Sequence, residues 1–537
     1  MDIQKSRDLL DSKLASNEEY QNSSLQIIRQ NAIGKILLPT GSGKTRIESL
    51  AILEDIWEKE NCGQKGVYAF AAHRLSLIEQ LLEDFYEMSK DVNVDNIDFI
   101  LNGSFNGCYG YITKKGISSP GVFKTAQYDF GPKNAIIDYV KSANFERGRH
   151  CVIFTTYQSI DNLSKIDHVD LAVFDEAHEI CEKGNYKNLF ETIQGKSVAD
   201  LILKKIYFTA THRETSIANN NDANSMRGMN NKEKFGDILY EMVPSEAITR
   251  DLISQPRILH ADVEYNTDKA GVAKEELYNN ARMRIKAIKE IYFYHESSIR
   301  QTSSTPENIN AKIMMRLRGA GEINAMYNDK EFVEWCKFNN IKYFAATSKH
   351  GLWSNGKHVK NRKSFLNELS NLEDKDRAII MQYEILTTGI DLPNLTAVWG
   401  WGEINAISLA QFCGRAARLH PEDRKARYLT GARPEIKPYF DIILTPFFMG
   451  DDTSKVCEVM LKKLYDIYGT LPYIIDPISI TNTKDENEEE NFNSATEDLN
   501  GKSGSVADIK CVIKNFRLEK KLNKIMEESL KELEELL

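Results

Sequence analysis

Residues 39–45 read Pro-Thr-Gly-Ser-Gly-Lys-Thr. Glycines at alternate positions let a backbone curl until its N–H groups converge on phosphate oxygens. Thr40, Gly41, Ser42, Gly43, Lys44 and Thr45 are therefore candidate phosphate-binding residues. Lys44 is expected to reach the outer phosphates of a nucleoside triphosphate, and the Thr45 hydroxyl to bind Mg²⁺. At roughly 5–7% per specified position, Thr-Gly-Ser-Gly-Lys-Thr arises by chance on the order of once in ten million starting points. A plain glycine turn is thus a poor explanation. Further along, Asp175-Glu176-Ala177-His178 closes the apolar run Leu-Ala-Val-Phe. A carboxylate at the C-terminal end of a strand can hold Mg²⁺ through water. A second, adjacent carboxylate can orient a water for attack on phosphorus. An isolated Asp-Glu pair is ordinary solvated surface; beside a phosphate loop it points to ATP hydrolysis.

These groups need rigid elements to position them. The run 33–38 (IGKILL) reads as a short buried strand, and 46–59 behind the loop has helical spacing. Strand, glycine turn, helix is the context a phosphate loop requires. More short apolar runs follow at 66–72, 151–156, 171–177 and 205–211. They are mostly continuous rather than alternating, as in strands buried on both faces of a parallel sheet. A helical segment at 74–89 separates the first two. A second series of runs, at 312–317, 342–347, 377–383, 395–400 and 440–445, alternates with helical stretches such as 273–294. The pattern predicts an α/β protein with two tandem parallel-sheet domains, 1–250 and 251–450, joined near 245–256. The Asn-rich stretch 214–233 reads as a flexible excursion. Residues 451–537 read as a mostly helical extension. It has a helix near 453–468, an acidic linker at 484–505, and an apolar helical stripe at 507–537 suited to docking or self-association.

Composition narrows the classes. The 537 residues carry a net charge of −9, which argues against a protein that simply coats nucleic acid. Residues 484–500 alone hold seven acids and one Lys, so a local basic surface elsewhere remains allowed. No run of 18 apolar residues occurs, so no membrane span is expected. The polar N-terminus lacks a secretory core, and the eight widely spaced cysteines form no C-x-x-C pair. A reduced, cytoplasmic setting is expected.

The motifs together resemble a superfamily 2 helicase of the DEAH-box kind, over about residues 18–445. Leu38 stands where the broad phosphate-loop pattern wants Gly, a variant seen in helicase-type motors. Glu19-Tyr20-Gln21 resembles the adenine-reading segment, which implies that Gln21 reads adenine. Ala71-Ala72-His73-Arg74-Leu75 resembles motif Ia, and Thr155-Thr156-Tyr157-Gln158-Ser159 the strand-contacting motif after it. Thr209-Ala210-Thr211 resembles the motif that couples hydrolysis to domain movement, and His178 is read as a cleft-coupling residue. His178 has no second His at ligand spacing and is not read as a metal ligand. Leu386 to Pro393 resembles motif V, which implies that Gly389 and Asp391 touch the ribose. Gln411-Phe412-Cys413-Gly414-Arg415-Ala416-Ala417-Arg418 resembles motif VI.

The resemblance implies two RecA-like domains using ATP and Mg²⁺. Lys44, Asp175, Glu176 and Gln411 would serve hydrolysis, with Arg415 and Arg418 stabilising transition-state charge across the interdomain cleft. Arg74, Thr156, Gln158, Arg316 and Thr388 would contact a nucleic-acid strand. The form of motif VI and the Gly389-Ile390-Asp391-Leu392-Pro393-Asn394 stretch look like restriction-enzyme and phage motors, which favours DNA over RNA as the track. The alternatives are a duplex-DNA translocase of a restriction or defence complex, without strand separation, and a nucleotide-gated nucleic-acid binding module. Two aromatic, basic segments, 105–115 and 349–363, read either as base-stacking elements or as solvated loops.

Overall fold

The computed structural model describes residues 19–91, 97–105, 108–112, 136, 148–191, 196–214, 227–264, 273–317, 319–347, 349–383, 392, 394–401, 404–445, 453–468 and 473–481. The apolar runs form strands: β1 (Ile33–Leu37), β2 (Val67–Ala72), β3 (Ile97–Phe105), β4 (Cys108–Ile112), β5 (His150–Thr156), β6 (Val169–Phe174), β7 (Ile202–Thr209) and β8 (Asp237–Glu241). They pair in the order β4-β3-β5-β2-β6-β7-β1-β8. Only β3–β4 is antiparallel; the other neighbours run parallel. Every residue of β5 is buried, which is why its sequence is continuous rather than alternating. The Phe70 and Phe154 rings stack on one face with centroids 5.0 Å apart.

Glu19–Gln30, Lys44–Asn61 and Leu75–Asp91 are the main helices of this unit. The helix Lys44–Asn61 buries Ile47, Leu50, Ile52, Leu53 and Ile56, and Glu48 with them. Strands β3 and β8 were not expected. β3 is broken by Asn102-Gly103-Ser104, and β8 is mostly exposed, so neither leaves a strong apolar signal. Within the Asn-rich stretch, residues 215–226 lie outside the described set. The end of that stretch is held rather than flexible. Met229 is buried, its N–H donates to Arg213 O (2.8 Å), and its carbonyl accepts from Lys35 Nζ (2.8 Å).

The chain divides into two compact units, Met1–Ala247 and Ile248–Leu537. The second is built on β9 (Gln255–Glu264), β10 (Lys312–Arg316), β11 (Ile341–Thr347), β12 (Gly351–Ser354), β13 (Lys357–Val359), β14 (Arg377–Gln382), β15 (Ala397–Trp401), β16 (Tyr439–Thr445) and β17 (Tyr473–Thr481). Their order is β13-β12-β11-β14-β10-β15-β16-β9-β17. The long helix Ala273–Thr302 buries Ile285, Ile288, Ile291, Tyr292, His295 and Ile299 at helical spacing on one face. His295 is fixed from both nitrogens, Nδ1 to Asp441 Oδ2 (2.6 Å) and Nε2 to Thr396 Oγ1 (2.9 Å). Each unit therefore has the parallel-sheet, RecA-like layering read from the sequence.

Two segments gain detail. Within the extension 451–537, expected to be mostly helical, a strand joins a helix. Helix Thr453–Tyr468 is followed by β17, which adds to the edge at β9 in parallel. Its Ile-rich alternation suits a strand, and the register shift between Ile475 and Ile478 spans Pro477, which has no N–H for the ladder. The linker 484–505 and the stripe 507–537 lie outside the described residues. The basic segment 349–363 is not a plain loop. β12 and β13 form a hairpin on the sheet edge, turned at Asn355-Gly356 with φ of 47° and 83°. Two positive φ angles in a two-residue turn match the right-handed twist of the strands, and Asn-Gly is the sequence that adopts them. Of the segment 105–115, residues 108–112 form β4, while 106–107 and 113–115 lie outside the described set.

Candidate functional site

The phosphate loop leaves β1 at its C-terminal end and enters the helix at Lys44. Gly41 and Gly43 sit at φ of 92° and 84°, the left-handed region open to glycine at little cost. A Cβ on Gly43 would lie 2.8 Å from Gln21 Nε2. The loop is tied by Ser42 Oγ donating to Pro39 O (2.8 Å) and by Tyr20 O–H donating to Ser42 O. Gln21 is buried, and its Nε2 donates to the Tyr20 hydroxyl (3.2 Å). The structure thus places Gln21 against the loop glycine. Lys44 is buried and its Nζ donates to Leu38 O (3.2 Å), the residue that replaces the usual glycine. Thr40 and Thr45 are half-buried; Gly41 and Gly43 are exposed.

The second half of the site comes from β6. In the register of the sheet, Phe174 faces Ala71 on β2 and Tyr207 on β7. Asp175 therefore emerges at the shared C-terminal edge, where open α/β sheets place their ligands. Its N–H donates to Ala71 O (2.9 Å), and its carbonyl accepts from the buried Tyr157 hydroxyl (2.6 Å). Asp175 Oδ1 accepts the Glu176 N–H at 2.9 Å. Glu176 itself adopts φ 50°, ψ 48°, a conformation costly for a side-chain-bearing residue. Such strain often sits at functional turns; here it aims successive carboxylates from one strand end.

His178 is buried, and its Nδ1 lies 2.9 Å from Thr209 Oγ1. The Thr209 hydroxyl donates its only proton to Thr211 O (3.0 Å) and accepts the Thr211 N–H (3.1 Å). The Thr209 hydroxyl thus joins the His178 ring to the Thr211 backbone. The His178 Nδ1 also lies 3.5 Å from Glu176 Oε2, and its Nε2 lies 3.6 Å from Glu179 Oε1. The acidic strand end and the Thr209-Ala210-Thr211 segment are thus joined through one imidazole; Ala210 is half-buried between the two threonines.

Sequence reasoning missed Glu48, one helical turn after Lys44. It is 0% exposed; its oxygens accept from no N–H or hydroxyl, and the carboxyl is hydrogen-bonded to that of Asp175. Burial first, and then the Asp175 charge, hold Glu48 well above the usual carboxylate range, while Lys44 opposes them. Asp175 is pushed up to about 6, chiefly by burial and then by Glu176, against Lys44 and the Glu176 N–H. Neighbouring buried carboxyls cannot all ionise around one lysine without a further cation. An Mg²⁺–triphosphate group fits this site. The curled loop suits phosphate, and the surplus of carboxyl groups over the single lysine suits a dication. Among the described residues, no three His, Cys, Asp or Glu side chains are arranged to hold a metal unaided. Mg²⁺ that keeps water and phosphate ligands does not require such a cage. The spacing Lys44-x-x-x-Glu48 is the signal that could have found this residue, since positions four apart share a helix face.

The expected strand-contact residues of the first unit lie on that same edge. Ala72 pairs with Thr156, so Arg74 and Gln158 leave adjacent parallel strands. Thr156 is buried, Arg74 half-buried and Gln158 exposed. Burial pushes the neighbouring His73 down to about 4. In the second unit, Arg316 ends β10, and its Nε donates to Tyr383 O (3.2 Å). Gln411 and Arg415 are buried four residues apart in the helix Ala406–Ala416; Arg418, just beyond it, is half-buried. Lys437, itself buried, holds that helix end by donating to Ala416 O (2.9 Å) and Leu395 O (3.1 Å). Thr388, Gly389 and Asp391 lie outside the described residues.

Residues 12–214 match the family described as type III restriction enzyme, res subunit. The chain is similar to superfamily 2 motors of the restriction-enzyme res-subunit kind. No curated protein matches it in sequence. Among solved structures, the fold is similar to the ATP-dependent type ISP restriction-modification enzyme LlaBIII bound to DNA. That match has 15% identity and a TM-score of 0.55, over 90% of this chain and 32% of that one. The chain thus spans about a third of the length of that enzyme. A fragment of a type I restriction enzyme HsdR subunit from Vibrio vulnificus YJ016 matches at 17% identity and TM-score 0.49, over 88% of this chain and 71% of that one. The S. cerevisiae protein Dbp5 bound to RNA and ADP BeF3 matches at 13% identity and TM-score 0.46, over 90% and 93%. The resemblance read from the motifs is thus matched in sequence over residues 12–214, and the likeness to LlaBIII extends to the fold. No described helix is long and apolar enough to cross a membrane.

Proposed function

We propose that this superfamily 2 motor is an ATP-dependent helicase acting on nucleic acid, with DNA as its track rather than RNA. One observation carries the reading. Lys44, Asp175 and Glu176 act on one another electrostatically at the C-terminal edge of the first sheet, on a glycine loop whose φ angles suit phosphate. Bound Mg²⁺ would supply charge neutralisation at the β- and γ-phosphates, as in other phosphate-loop hydrolases. The chain's own residues do the rest. The loop N–H groups and Lys44 bind the phosphates; Thr45 and Asp175 hold the cation. Glu176 orients the attacking water. The imidazole between Glu176 and Thr209 offers a path by which hydrolysis is felt beyond the site.

The preference for DNA rests on the match of residues 12–214 to restriction-enzyme res subunits. That match equally favours a second reading, a translocase that runs along duplex DNA without separating it. Two assays with ATP separate them. A helicase displaces the partner strand from a tailed duplex. A translocase displaces a third strand from a DNA triplex and leaves the duplex intact. Activity on neither substrate, with ATP still hydrolysed, would refute the motor reading and favour a nucleotide-gated binding module.

A further inference from the structure

A carboxylate in the middle of a helix that is otherwise buried and apolar is costly, and most such positions hold Leu, Ile or Ala. Glu48 occupies one, between Ile47 and Leu50, with no exposure to solvent and no N–H or hydroxyl on either oxygen; its carboxyl is hydrogen-bonded to that of Asp175. Buried carboxyls in contact beside a single lysine leave room for a further cation. The charged surroundings of Glu48 are few: Asp175, Lys44 and Glu176. All three belong to the proposed ATP site. The carboxyl therefore lies among the acids of the proposed ATP site, one helical turn from Lys44, and three acids there face one lysine.

We propose that Glu48 is a third acidic member of the ATP–Mg²⁺ site, a positioning residue that sets its affinity for the divalent cation by complementing Asp175. The proposal rests on the ATP-site reading above and deepens it. Glu48 contacts the Asp175 carboxyl from the helix behind it and orients that group for the cation. Groups that support a metal ligand from behind are commonly worth about 10–100-fold in metal affinity.

The test is equilibrium binding of a fluorescent ADP to the full chain at pH 8, titrated from EDTA through rising Mg²⁺, and repeated with Mn²⁺. The wild type is expected to bind the nucleotide more tightly as Mg²⁺ rises. Glu48→Gln keeps the shape and removes the charge. It is expected to raise the half-saturating Mg²⁺ concentration by roughly 10-fold, while nucleotide affinity in EDTA stays within about twofold. Glu48→Asp, which keeps the charge on a shorter arm, is expected to recover part of the loss. Unchanged Mg²⁺ dependence in Glu48→Gln would overturn the proposal. An equal loss of affinity in EDTA would also overturn it, since that marks a packing role in the loop. Failure of the wild type to bind nucleotide at all would instead defeat the ATP-site reading on which the proposal stands.

Discussion

Replacing the central acid, Asp175→Asn, should stabilise the nucleotide-free protein. Burial and Glu176 hold the Asp175 carboxyl at about 6 in the fold, against its ordinary 3.8. The folded state thus binds the proton more tightly than the unfolded chain. The stability this acid contributes is greatest below pH 3.8 and is lost as pH rises through 6. Integrating the two titrations gives a penalty of about 3 kcal/mol at pH 8 and roughly half that at pH 5. Asn fills the same volume, and its Oδ1 can still accept the Glu176 N–H, so the substitution should remove the penalty with little new strain. The assay is urea unfolding in EDTA without nucleotide, followed by circular dichroism, at pH 5 and pH 8. Asp175→Asn should exceed the wild type in stability at both values, with the gap at pH 8 larger by about 1.4 kcal/mol. A gap independent of pH, or a variant less stable at pH 8, would refute the electrostatic account of the site. Activity should be lost in the same variant.

Three further substitutions test the geometry around that acid and in the second unit. Gly43→Ala forces a side chain into φ +84°, with its Cβ 2.8 Å from Gln21 Nε2. It should cost about 1–2 kcal/mol of stability and weaken nucleotide binding, as read by thermal melting with and without ATP. Thr209→Val removes the hydroxyl that meets both His178 and the Thr211 N–H. It should cost about 1–3 kcal/mol in urea unfolding and depress nucleic-acid-stimulated turnover more than basal turnover. Leu464 is fully buried in the helix Thr453–Tyr468, which packs on the helix Ala406–Ala416. Leu464→Ala should cost about 2–4 kcal/mol in the unfolding of the second unit.

The α/β layering, the tandem arrangement and most parallel strands were legible because buried strands in such sheets carry continuous apolar runs. The candidate site at 40–45 and 175–178 stood out in the sequence for a different reason. Phosphate loops and strand-end acids constrain residue type at consecutive positions. What escaped was set by tertiary pairing. β17 is a strand because β9 offers a free edge, not because Tyr473–Thr481 looks unlike the end of a helical extension. The β12–β13 hairpin carried a local signal, Asn355-Gly356, that the abundance of basic residues around it obscured. Glu48 was invisible because an acid at that helical position usually faces water. Only the packing of its helix against the strand end bearing Asp175 turns it into a site residue. The tie from Tyr20 to Ser42, likewise, depends on contacts between segments 22 residues apart.

The most direct test of the central claim is steady-state ATP hydrolysis by the wild type and by Lys44→Ala, without nucleic acid and then with single- and double-stranded DNA and RNA. Salt must be fixed and low, because backbone binding falls steeply with it. The account predicts turnover in the wild type that rises many-fold with DNA, more than with RNA, and no turnover in Lys44→Ala. Turnover retained in Lys44→Ala, or equal and weak turnover whatever polymer is added, would contradict it.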